Sequence, residues 1–105
     1  MPDLSTILVG RKVQQTAEIH DYIQLIFDDG ARLNIFNAVE MEGELAGEYL
    51  PLPGSTVSSV LESDTAIEIV FSDRKVLRVG MSNRDYSGPE AMEYVGADKQ
   101  RIVWS

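Results

Sequence analysis

The chain has 105 residues, a net charge of −8, 44% apolar residues and no cysteine. That length makes one domain, large enough for a true core. The charge disfavours nucleic acid and anionic membranes, which are bound through Lys and Arg, and the lack of thiols excludes disulfides, thiolate zinc sites and cysteine nucleophiles.

The N-terminal MPDLSTILVG carries Asp3 and only a short apolar run. It has neither the basic flank nor the long apolar stretch of a secretion signal. No segment approaches the roughly eighteen apolar residues of a membrane span, so a cytoplasmic protein is expected.

Strand periodicity begins at KVQQTAEI, 12–19. In YIQLIF, Ile23, Leu25 and Phe27 point one way and Tyr22, Gln24 and Ile26 the other. Asp28-Asp29-Gly30 is a hairpin turn, with Gly30 free to take a positive φ. Leu33 and Ile35 mark the return strand.

VEMEGELAGE, 39–48, then places Glu40, Glu42, Glu44 and Glu48 together with no base among them. Read as a strand over 39–45, it sets Val39, Met41 and Leu45 on one face and Glu40, Glu42 and Glu44 on the other. Helix is disfavoured by Gly43 and Gly47 and by like charges at a spacing of four. A short helical turn near 38–42 remains open. Either form turns a carboxylate ridge to solvent.

After Pro51 and Pro53 the pattern starts again. A shift of 44 lays residues 8–37 over 52–81 without a gap. Leu8, Gly10, Val13, Glu18, Ile23, Phe27, Asp29 and Leu33 recur as Leu52, Gly54, Val57, Glu62, Ile67, Phe71, Asp73 and Leu77. TVSSVLE, 56–62, is then a strand; AIEIVF, the turn Ser72-Asp73-Arg74 and a return through Leu77 and Val79 make the second hairpin. With one residue inserted, GELAGEYL at 43–50 matches GPEAMEYV at 88–95, giving each copy a Glu-Tyr strand ending at Leu50 or Val95. A last strand spans 100–104. The expected fold is all-β: about eight or nine strands in two tandem antiparallel meanders, 8–50 and 52–95, related by a pseudo-twofold and packed as a sandwich or partly closed barrel.

The residues for catalysis are sparse. His20, the only histidine, stands beside Asp21, and neighbours in a strand face opposite ways. No Gly-x-Ser-x-Gly elbow, calcium loop or phosphate loop is present. Glu40, Glu42 and Glu44 read as exposed and not as a catalytic pair in a cleft. Arg74, Lys75, Arg78 and Arg84 form a modest basic patch that balances nearby acids. No cofactor or metal is expected, and no enzymatic activity. Tyr49, Tyr86, Tyr94 and Trp104 gather toward the ends of the copies, and aromatics beside carboxylates are the makings of a binding surface.

The hairpin IFDDGARLNIF and the terminal SGPEAMEYVGADKQRIVW, with Gly88-Pro89-Glu90-Ala91 ahead of a Trp-containing strand, resemble small bacterial β-rich proteins. Some of these resemble immunity proteins of polymorphic toxin and contact-dependent inhibition systems. Ser72-Asp73-Arg74 departs from the Gly turn of that pattern. The resemblance implies a non-catalytic inhibitor that occludes a basic, nuclease-like toxin domain. Glu40, Glu42, Glu44 and Glu48 would be its contact charges and Tyr49 its anchor. The alternative is a small-ligand or regulatory β-domain with its site between the repeats, marked by a pocket lined with Tyr and Arg. A third is self-association through an edge strand such as 100–104.

Overall fold

Alternating apolar residues on short strands can be buried only by stacking one sheet on another. The computed structural model, which describes residues 4–19, 22–42 and 53–105, resolves the alternation into nine strands among those residues. They are β1 (Val13–Ile19), β2 (Tyr22–Phe27), β3 (Arg32–Ile35), β4 (Val39–Glu42), β5 (Val57–Glu62), β6 (Ala66–Phe71), β7 (Val76–Gly80), β8 (Met92–Val95) and β9 (Arg101–Trp104). Five form a sheet of order β1-β2-β3-β8-β9 and four a sheet of order β4-β7-β6-β5, with every pairing antiparallel. The protein is an all-β sandwich, and its described strands form no closed barrel.

The inward rows are the expected ones. Leu25, Phe27, Leu33 and Ile35 of the first sheet meet Ile67, Ile69, Phe71, Leu77 and Val79 of the second in one buried cluster. Phe27 and Phe71 are its largest members, and truncating such a ring to Ala costs about 3–5 kcal/mol. Met92 and Tyr94 extend the core, and Trp104 packs against its margin.

Two elements have no counterpart in the sequence reading, a 3-10 turn at Asn83–Asp85 and an N-terminal helix. Leu4–Leu8 is a single helical turn, α1, whose Leu4 and Leu8 lie one turn apart and are both buried. Five residues are too few to stand alone as a helix; burial near β5 holds this one. The expected Glu-Tyr strand of the first half, through Leu50, lies outside the described residues. Among the described residues β7 pairs with β4 on one side and β6 on the other.

Several hydrogen bonds recur at the 44-residue spacing. Val13 N–H donates to the Ser55 carbonyl (2.7 Å), and Val57 N–H to that of Arg11 (2.9 Å). Gly10 N–H donates to the Val57 carbonyl (2.9 Å), and Gly54 N–H to that of Val13 (2.7 Å). Lys12 and Thr56 bridge at the centre of this set. Both outer strands break register alike, between Val13 and Gln15 and between Val57 and Ser59. In the turns, the Asp29 carboxylate accepts from Ala31 N–H (2.9 Å) and the Asp73 carboxylate from Lys75 N–H (3.1 Å). The sheets are thus stitched together where β1 and β5 begin. The groove described below opens where β1 ends.

Candidate functional site

The described part of the acidic segment, Val39–Glu42, enters the fold as a strand. β4 forms one side of the four-stranded sheet and pairs with β7, placing Glu40 opposite Arg78 and Glu42 opposite Val76. Arg78 also stands opposite Glu68 on β6 and lies 3.6 Å from its carboxylate. Glu40 is exposed and makes no ion pair with any described residue. The strand reading therefore holds for 39–42. Glu44, Glu48 and Tyr49 lie outside the described residues, as do His20 and Asp21.

The expected basic patch is dispersed. Lys75 is buried beside Asp73, at 4.0 Å. Arg78 serves Glu68, and Arg84 lies in the single-turn 3-10 helix Asn83–Asp85. Tyr94 belongs to the core, where burial pushes its phenol up, opposed by Arg11 and aided by Asp29 and Asp98. The Arg11 guanidinium lies 5.3 Å from the Tyr94 ring centre and pairs with Asp29. The bond from Ala31 N–H, aided by Arg11 against the cost of burial, holds the Asp29 carboxyl below its ordinary value. This cluster ties a turn to the helix–strand junction, with its charges mutually satisfied.

A polar ladder crosses the outer face of the five-stranded sheet. Gln24 donates to Asn34 (2.8 Å), Asn34 donates to Glu93 (3.0 Å), and Arg101 donates to the other Glu93 oxygen. Burial alone would raise the Glu93 carboxyl, but the bonds from Asn34 and Arg101 and the Arg101 charge hold it down.

One concavity among the described residues was not located by sequence reasoning. It is an open groove of about 760 Å³ at the end of the sandwich where β1 stops. Ile19, Ile23, Ile35 and Val39 supply apolar wall. Tyr22 and Phe36 pack edge to face with ring centres 5.3 Å apart, and Tyr86 adds a third ring. Glu18, Asp85 and Arg84 bring the charges.

Asn37 lines the groove and is 4% exposed. Its Nδ2 donates to the Gly80 carbonyl at 2.7 Å, which fixes the amide's orientation. Its Oδ1 is buried without a hydrogen-bond partner among the described residues. The 3-10 turn closes the rim: the Asp85 carbonyl accepts from Ala38 N–H (2.9 Å), and the Asp85 carboxylate from Ser82 N–H (3.0 Å). A sequence signal existed, since Phe36-Asn37 follows the return strand where its apolar alternation stops. Nothing in the sequence showed that this Asn would be buried.

Among the described residues no cluster of His, Cys, Asp or Glu could hold a metal ion, and no helix is long and apolar enough to cross a membrane. The chain matches no protein-family model, and no curated protein or solved structure matches it significantly.

Proposed function

We propose that this chain is a non-catalytic acidic binding protein, an immunity-type inhibitor that occludes a basic, nuclease-like toxin domain in the cytoplasm. It is built from two copies of one meander about a pseudo-twofold, a reading supported by the hydrogen bonds and register breaks that recur at a spacing of 44. The observation that carries the function is the setting of β4. Its Glu40 is exposed at one side of a sheet where its cross-strand neighbour, Arg78, lies against Glu68. The negative charge is thus left for a partner, and a net charge of −8 steers basic proteins toward it. Glu40, Glu42, Glu44 and Glu48 are the contact charges and Tyr49 the anchor. With the purified partner, replacing the four Glu by Gln slows association and flattens its dependence on salt. An unchanged on-rate removes the acidic segment from the interface.

The groove favours a second reading, a small-ligand or regulatory domain with its site between the copies. Residues from both halves, Tyr22 and Tyr86 among them, line the groove. A saturable chemical-shift change at the groove tests it.

A further inference from the structure

The edge of a β-sheet offers unpaired backbone N–H and C=O groups to another chain, and folds ordinarily guard it. Among the described residues the sandwich has four edge strands, β1, β9, β4 and β5. β1 and β5 are guarded alike: each breaks register with its neighbour, and their starts are hydrogen-bonded to each other across the sheets. β4 carries the exposed Glu40. β9 has no such device. Its register with β8 runs unbroken from Arg101 to Trp104, and it contains no proline.

The hydrogen bonds of the β8–β9 hairpin show which groups are left over. Gly96 N–H donates to the Gln100 carbonyl (2.8 Å) and Ala91 N–H to that of Trp104 (2.6 Å). Along an antiparallel strand, residues that bond to one neighbour alternate with residues that face the other way. Gln100, Ile102 and Trp104 therefore turn their backbone groups toward β8, and Arg101 and Val103 turn theirs to the open edge. The only charge in β9, on Arg101, is drawn back over its own sheet by Glu93 and by Glu90, the latter at 3.7 Å. On the core side Ile102 and Trp104 are only half-buried.

These features fit a second copy of the same strand. Run antiparallel, it sets Arg101 opposite Val103 of the second copy, and Val103 opposite its Arg101. Each of those pairs exchanges two hydrogen bonds, so the free groups of both residues are used. The register also suits the charges. No Arg101 faces another, and because Glu93 is the cross-strand neighbour of Val103, Arg101 of the second copy stands two strand spacings, about 10 Å, from Glu93. Ile102 meets its own equivalent on the core side.

We infer that β9 pairs antiparallel with β9 of a second copy, joining two five-stranded sheets into one of ten strands about a twofold axis. The net charge of −8 opposes the approach of two copies, so the pairing strengthens as salt screens it. A basic partner at β4 would show the opposite dependence, which keeps the two interfaces separable.

The test is sedimentation equilibrium of the full chain from about 10 µM to about 1 mM, the span in which a small interface associates, at low and high salt. Amide hydrogen exchange is read at both ends of the range. The mass is expected to rise from one chain to two and stop there, further along at high salt. The Arg101 and Val103 amides should exchange freely at the low end and roughly tenfold more slowly once nine in ten chains are paired. Val103→Pro removes an edge N–H without touching the β8 ladder and should leave a folded monomer. Val103→Lys sets like charges opposite each other across the new pair and should do the same, should the proline disturb the strand. Ser59→Lys, on the β5 edge, should leave the dimer intact. A single-chain mass throughout overturns the inference, as does a mass that grows past two chains. So does a dimer that survives both Val103 variants or is lost with Ser59→Lys. Protection of the Arg101 and Val103 amides in the monomer overturns it too, since the chain would then cover this edge itself.

Discussion

Arg74 holds a backbone conformation ordinarily left to glycine. Its φ is +72°, and at the matching position of the first hairpin Gly30 takes +90°. The left-handed region costs a residue with a Cβ about 1–2 kcal/mol, and glycine gives part of that back in chain entropy. Arg74→Gly is therefore expected to stabilise the protein by up to about 1 kcal/mol, and Gly30→Ala to destabilise it by a similar amount, both read from urea midpoints. The turn at Ser72-Asp73-Arg74 was legible in the sequence, and the shift of 44 that sets Arg74 over Gly30 marked the position that turns left-handed. Glu93 offers a second test at this scale. Its folded-state pKa lies below the ordinary value of 4.5. The stability it contributes is therefore present above that value and lost as the pH falls through the lower, folded one. Glu93→Gln should be destabilising at pH 6, and the gap from wild type should narrow by pH 3. A gap of constant width would show that the charge on Glu93 plays no part.

At the scale of elements, the hairpins were legible because period-two burial is written into Ile23, Leu25 and Phe27 and again into Ile67, Ile69 and Phe71. The helix α1 was not, since one turn carries too few residues to show a period. The 3-10 turn was missed for another reason: it is held by tertiary contacts. An added Cβ at Gly80 would clash with the Asp85 carboxylate. Gly80→Ala must therefore push out the carboxylate that accepts from Ser82 N–H. The expected cost is about 1–3 kcal/mol, as for overpacking elsewhere, with amide shifts concentrated at 82–87. Unchanged stability and shifts would mean that the turn is not seated by this contact.

Across the whole molecule the halves are interlaced. β4, from the first half, pairs with β7, while β8, from the second, pairs with β3. Each sheet thus needs a strand from the other half, and the two share one core. Residues 1–50 and 51–105, made separately, are each expected to be unfolded by circular dichroism and to regain β-structure when mixed. A half that folds alone would contradict this. The all-β sandwich could be read in outline from the repeated pattern; the exchange of strands could not, since alternation says which face is buried but not which neighbour is paired. Nor could the groove, whose walls come from both halves of the chain. The central claim is that the acidic β4 segment binds a basic protein. Its most direct test is a pull-down with tagged protein from the lysate of the cells that make it, at low and moderate salt, beside the variant with Gln at 40, 42, 44 and 48. The account predicts one stoichiometric basic partner, held by the wild type and lost by the variant; a partner held equally by both would contradict it.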